Sequence, residues 1–188
     1  MNGMGRGMNA GLALRWRAVL ATLFCLCAIG QAAGQQAGFP GGASSLRETF
    51  QDWQLVCELI DGTPVCAISQ AQRDTATQQF VLALELLPAV GGGASGSLIL
   101  PFGLRLADGI GMRIDEAGPF ATRPFSTCLP MGCIVQAPFD ADVVAALRGG
   151  SVLSLDATAD DDGESVVFSV SLMGFAAALE RARTLTPG

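Results

Sequence analysis

The chain is patterned as short apolar runs set apart by turn residues, with few stretches that carry a helical stripe. From Gln79 to Leu87, Phe80, Leu82, Leu84 and Leu86 lie on one face and Val81, Ala83 and Leu87 on the other, and only Glu85 interrupts. Apolar residues on both faces predict a strand covered on both sides. Gly91–Gly96 then breaks the chain before a second run, Leu98–Leu100. Shorter strands are predicted at Leu104–Leu106, Gly111–Ile114, Pro124–Cys128 and Cys133–Gln136, each bounded by Gly, Pro or Asp. Two helices interrupt this series. Asp140 is placed to cap Ala141–Leu147, which Gly149 closes, and Phe175–Arg183 puts Phe175, Leu179 and Ala182 on one stripe with Arg181 and Arg183 near its C-terminal end. Between them, Val152–Ala157 and Ser165–Leu172 form a hairpin around Asp160-Asp161-Asp162-Gly163. The expected fold is mainly β: an antiparallel sandwich or barrel-like domain with two short helices, the second near the C-terminus.

One hairpin can be specified to the residue. In Cys57-Glu-Leu-Ile-Asp61-Gly62-Thr-Pro-Val-Cys66, the Asp-Gly pair signals a two-residue turn of type I′. That register pairs Ile60 with Thr63, Leu59 with Pro64 and Cys57 with Cys66. Pro64 then stands where its missing N–H costs the ladder nothing, and the cysteines meet at the closer type of cross-strand pair. A Cys57–Cys66 disulfide follows. Cys128 and Cys133 enclose Leu129-Pro130-Met131-Gly132, a turn sequence that brings them together as a second local bridge. Redox-active dithiols have the spacing C-x-x-C; four residues intervene here, so both bridges read as structural staples.

The N-terminus carries a different message. Arg6, Arg15 and Arg17 precede an apolar run from Ala18 to Ile29 and the small-residue stretch Gly30–Gly34. Residues 1–33 are read as a secretory signal peptide, too short in its apolar part for a stable transmembrane anchor. Residues 34–45 are read as a flexible leader and 46–188 as a single domain. Cys25 and Cys27 leave with the signal, so the four remaining cysteines belong to an exported, oxidised protein, periplasmic or secreted.

Composition narrows the chemistry. The 188 residues include no His, Lys or Tyr, so all 11 basic residues are arginines. Imidazole bases, lysine Schiff bases and Ser-His or Ser-Lys nucleophiles are therefore closed to this chain. A carboxylate pair could hydrolyse glycosides, but Trp53 is the one tryptophan beyond the signal and is expected in the core or beside the first strand. The acidic turn at Asp160–Asp162 invites calcium; an EF-hand loop opening at Thr158 would need an acid there and a Glu at Ser169, and has neither. No catalytic residue, cofactor or metal site is assigned. Beyond residue 33, 17 acids stand against 8 arginines, a charge of −9 that repels phosphate backbones and argues against nucleic acid as partner.

Several segments together resemble the invasion-associated locus B family of exported bacterial proteins. They are Phe50-Gln-Asp52-Trp53-Gln-Leu-Val-Cys57, Cys66-Ala-Ile-Ser69-Gln70, Leu100-Pro101-Phe102-Gly103-Leu104, Gly111-Met-Arg-Ile114-Asp115, Phe125-Ser-Thr-Cys128-Leu-Pro130-Met-Gly132-Cys133 and Phe168-Ser-Val-Ser-Leu172-Met-Gly174-Phe175. The resemblance implies one compact domain with paired cysteines and a non-enzymatic role: an envelope or secreted virulence factor that aids host interaction or invasion by binding a host-cell or envelope protein. The alternative is a periplasmic envelope-stress or assembly helper that holds other exported chains. For either role, Phe102 and Phe139, both following proline, are expected at an exposed partner-binding surface.

Overall fold

The computed structural model describes residues 38–186. The predicted signal lies outside the described residues. Strands β1 (Ser45–Phe50), β2 (Trp53–Ile60), β3 (Thr63–Arg73), β4 (Phe80–Pro88), β5 (Ala94–Leu100), β8 (Phe125–Leu129) and β9 (Gly132–Gln136) form a seven-stranded sheet in the order β1-β2-β3-β4-β5-β9-β8. A four-stranded sheet, β11-β10-β6-β7, takes β6 (Ile110–Ile114), β7 (Ala121–Arg123), β10 (Val152–Thr158) and β11 (Ser165–Ser171). All pairings are antiparallel. Helices α1 (Ala141–Gly149) and α2 (Phe175–Leu185) complete the domain, so the expected class, mainly β with two helices and the second near the C-terminus, is the one observed.

Both sheets send alternate residues into one continuous core. Leu55, Cys57, Cys66, Ile68, Leu82, Leu84, Leu86, Leu98 and Val135 enter it from the larger sheet, and Met112, Leu153, Leu155 and Val170 from the smaller. Helix α2 buries Phe175, Ala178, Leu179 and Ala182, the predicted stripe with one alanine added. Trp53, wholly inaccessible, packs edge-on against Phe175 with ring centroids 5.1 Å apart. The hairpin arithmetic is realised: Cys57 pairs with Cys66, Leu59 with Pro64 and Ile60 with Thr63, and Asp61 and Gly62 take φ of 51° and 78°. Asp140 caps α1 by accepting the Val143 N–H at 2.9 Å.

Three expectations are corrected. Leu104–Leu106 is not a strand: Leu104 makes one isolated bridge to Ala159, and Leu106–Asp108 winds into a 3₁₀ turn. Gly103 and Gly109, at φ of 87° and 70°, bend the chain on either side and leave too few extended residues for a ladder. β4 is covered on one face only, with Leu82, Leu84 and Leu86 buried; Val81, Ala83 and Leu87 are half-covered by neighbours within the sheet. The expected leader is not loose where it is described. Phe39 is buried in the core and its carbonyl accepts the Gly42 N–H at 3.0 Å, while Leu59 donates to the Ser44 carbonyl at 3.1 Å. One large apolar side chain with a place in the core outweighs the turn-rich composition around it.

The start of α2 tolerates no side chain. Gly174 has φ of 89°, and a Cβ there would lie 1.9 Å from the Phe50 carbonyl oxygen. Gly174→Ala combines a left-handed backbone with overpacking, and is expected to cost about 3 kcal/mol or more. Gly62→Ala, at a similar φ of 78° but in open space, is expected to cost about 1 kcal/mol. Chemical denaturation of both variants checks the order.

Candidate functional site

The two disulfides form as expected, Cys57–Cys66 and Cys128–Cys133, with Cα atoms 4.0 and 3.9 Å apart. Their surroundings differ. Cys57 and Cys66 are buried within the core on β2 and β3, strands that have neighbours on both sides. Cys128 is exposed on β8, an edge strand, and only its partner Cys133 on β9 is covered. The hairpin that joins them turns tightly at Pro130–Met131. Gly132 is needed there, because a Cβ would come within 2.4 Å of the Leu100 carbonyl oxygen on β5.

Exposed apolar side chains lie on the hairpin of this outer bridge and on the segment that follows the adjacent strand. Leu129 is 45% exposed and Met131 61%, and Phe102, which follows β5 where Leu100 pairs with Cys133, is 60% exposed. No charged residue occurs in Phe125–Gln136 or in Pro101–Leu104. Phe102 thus stands at the surface, as expected. Phe139 does not: it is 4% exposed, sits edge-on to Phe120 at 6.3 Å, and exchanges backbone hydrogen bonds with Ala94 at 2.8 and 2.9 Å. Pro138-Phe139 reads as a loop in sequence, but a two-bond bridge to β5 turns the ring into the core. Leu129 and Met131 were missed as surface candidates; the signal for them was their place at the tip of a disulfide-closed turn, where the chain has nothing to pack beneath.

Several carboxylates are engaged in holding the fold. Glu48 on β1 accepts two bonds from the Arg181 guanidinium on α2, at 2.8 and 2.9 Å. Asp156 pairs with Arg113 across β10 and β6 at 3.1 Å, and Glu180 with Arg148 across the two helices at 3.0 Å. Asp115 accepts the N–H groups of Ser151 and Val152 at 3.0 and 2.9 Å. It borders an open groove of about 500 Å³ lined by Ile114, Phe120, Val143 and Ala146, with Asp142 at its rim. In the acidic turn, Asp161 and Asp162 accept the backbone N–H groups of Asp162 and Glu164, both at 2.9 Å. Among the described residues, no three Cys, Asp or Glu side chains converge to hold a metal ion.

Two carboxyls are held below the usual range. Hydrogen bonding from Arg181 lowers Glu48, against partial burial that raises it, and the Thr77 backbone N–H and hydroxyl lower Asp74. Neither faces a second acid that could share a proton, so neither marks an acid–base pair.

Comparison with known proteins places this architecture. Residues 53–183 match the family model for the Invasion associated locus B (IalB) protein. The chain belongs to the IalB family. It is 44% identical over 164 residues to an invasion protein B homolog of Brucella abortus, covering 87% of this chain and 94% of that one. It is 34% identical over 151 residues to invasion protein B of Bartonella bacilliformis, covering 79% and 81%. The crystal structure of invasion associated protein b from Bartonella henselae superposes with a TM-score of 0.70 at 32% identity, over 74% of this chain and 96% of that one. The IalB fold therefore spans both disulfide hairpins and both helices. Among the described residues no helix is long and apolar enough to cross a membrane.

The two bridges should weigh differently on stability. Cys57→Ala/Cys66→Ala removes a cross-link and leaves a core cavity, and is expected to cost about 3–5 kcal/mol; Cys128→Ala/Cys133→Ala removes a bridge that closes a shorter loop at the edge of the sheet and is expected to cost about 1–3 kcal/mol. Urea denaturation of each pair checks this. Glu48 has a lowered folded pKa, so its ion pair contributes above the ordinary value of 4.5 and is lost as pH falls through the folded value. Glu48→Gln should reduce stability at pH 7 by less than about 1 kcal/mol, since the pair is partly exposed. The difference from the parent protein should narrow as pH falls below the ordinary value of 4.5 and close once pH is below the lowered folded value, as thermal melts at each pH would record.

Proposed function

We propose that this IalB protein is exported and works by binding, without catalysis, as an envelope or secreted factor that aids bacterial interaction with, or invasion of, host cells. The observation that carries this reading is the exposure of Leu129 and Met131 on a disulfide-closed hairpin, with Phe102 exposed on the segment that leaves the neighbouring strand β5. A side chain as large as phenylalanine left in water, with leucine and methionine exposed on the neighbouring hairpin, is stabilised when a partner covers it. Several further features support the reading. Relatives in Brucella and Bartonella carry the name invasion protein B, and two disulfides suit an oxidising compartment. The Arg-flanked apolar run before residue 33 has the pattern of a signal peptide. Several described carboxylates, among them Glu48, Asp115 and Asp156, are engaged by backbone N–H or arginine groups, as structural acids are. The partner is a protein of the host-cell surface or of the envelope; the acidic chain disfavours nucleic acid.

A second reading, a periplasmic helper that holds other exported chains, draws on the apolar character of the same exposed side chains, since apolar contacts alone discriminate little between partners. One experiment separates the two. Phe102→Ser/Met131→Ser exchanges exposed apolar atoms for polar ones and should leave the thermal midpoint within about 2 °C. The immobilised parent protein should capture a folded protein from host-membrane or envelope extracts, and the double variant should lose at least about tenfold of that capture. Equal capture by the variant overturns the patch as the binding surface. Suppressed aggregation of a denatured exported protein, with no folded protein captured, favours the helper.

A further inference from the structure

We propose that the Cys128–Cys133 bridge is a thiol–disulfide exchange site, open to a protein dithiol of the oxidising compartment, while Cys57–Cys66 is closed to exchange. Exchange begins when a thiolate reaches one sulfur of the bridge, so its rate follows access to that sulfur. Cys128 offers such access: it is exposed on the edge strand β8, which has a single neighbour, β9. Cys57 and Cys66 lie in the core between the ladders of β1 and β4, and no nucleophile reaches them without opening the sheet.

Charge and shape favour the same bond. The incoming thiolate is an anion approaching an acidic chain, and the hairpin from Phe125 to Gln136 that holds Cys128 carries no carboxylate of its own. Exposed Leu129, Met131 and Phe102 supply an apolar collar against which a protein bearing the dithiol can settle. The C-x₄-C spacing differs from that of dithiol enzymes, and makes this chain the substrate of exchange rather than its catalyst.

The reaction balances. A thiolate of the dithiol protein bonds to Cys128 Sγ, the Cys128–Cys133 bond breaks, and Cys133 leaves as a thiolate that takes a proton. The second thiol of the reductant then attacks its own mixed-disulfide sulfur and releases Cys128, which is protonated in turn. The reductant is oxidised by two electrons to a disulfide, and this chain gains two thiols with the two protons the reductant gives up. β8 is then held by its ladder to β9 alone, a ladder already irregular between Phe125 and Thr127, and the hairpin that carries the apolar patch loosens. This consequence for the patch rests on the binding role proposed above; the exchange itself does not.

The test is read at the sulfurs. The oxidised full-length protein is treated with reduced thioredoxin or with dithiothreitol, quenched with a maleimide, and digested for mass spectrometry. Cys128 and Cys133 should be labelled at least about tenfold faster than Cys57 and Cys66. Deuterium exchange should then quicken in Phe125–Gln136 and not in Trp53–Arg73. Reduction of both bridges together, or of Cys57–Cys66 first, overturns the site. Phe102→Ser/Met131→Ser should slow reduction by thioredoxin severalfold and leave dithiothreitol unaffected; the same rate with thioredoxin overturns the collar. A failed partner capture leaves these rates untouched, so the two proposals fail separately.

Discussion

The structure depends on a seam of hydrogen bonds at Ser171, the last residue of β11. Its carbonyl accepts the Trp53 indole N–H at 2.9 Å and the Gln70 side-chain N–H at 3.0 Å, and its own N–H donates to Gln70 Oε1 at 3.1 Å. One glutamine amide thus meets the edge of β11 as a neighbouring strand would, donating and accepting at the same residue. Gln72 extends the arrangement by donating to the Ser169 carbonyl at 2.8 Å. These bonds satisfy part of an otherwise unpaired edge and tie the smaller sheet to β2 and β3. Removing a partner would strand a buried polar group, at about 1–3 kcal/mol each. The seam also fixes where α2 begins: Met173 accepts the Asp52 N–H, Gly174 presses on Phe50, and Phe175 closes over Trp53.

The surface that could meet a partner lies on other elements. At the opposite edge of the larger sheet from β1, the β8–β9 hairpin carries its bridge outside the core and its apolar side chains in water. The two disulfides are alike in sequence, each local and each closing a hairpin, yet one is a core component and the other a surface one. The difference follows from strand order. β2 and β3 are enclosed by β1 and β4, whereas β8 ends the sheet. Membership of the IalB family, together with the superposition on the Bartonella henselae protein, makes this order a property of the shared fold.

Electrostatics plays a supporting part. Arg181 clamps α2 to the edge strand β1 through Glu48, and Arg113 holds Asp156 across the smaller sheet. With arginine as the sole cation, each pair can be two-pronged and none loses its charge at ordinary pH. Among the described acids that do not pair with arginine, Asp140, Asp74 and Asp115 serve as helix-cap and turn acceptors.

Local rules carried much of this fold in the sequence. The Asp61-Gly62 turn set the Cys57–Cys66 register, Asp140 set the start of α1, and the Phe175, Leu179, Ala182 stripe set the buried face of α2. Each depends on residues within one turn or hairpin of one another. What needed the tertiary structure was every question of which face has a neighbour. β4 carries apolar residues on both faces, and only sheet stacking leaves one of them half-open. Phe39 and Phe139 sit among residues typical of loops, and their burial was decided by pockets in the core made by distant strands. Phe102 has the same local signature as Phe139 and stays in water, while the next residues carry the chain across to the β10–β11 turn, where Gly103 accepts the Asp160 N–H and Leu104 is buried. Short-range turn chemistry and hydrophobic period are written along the chain; burial and access to a sulfur are set by strand order, which brings together residues a hundred positions apart.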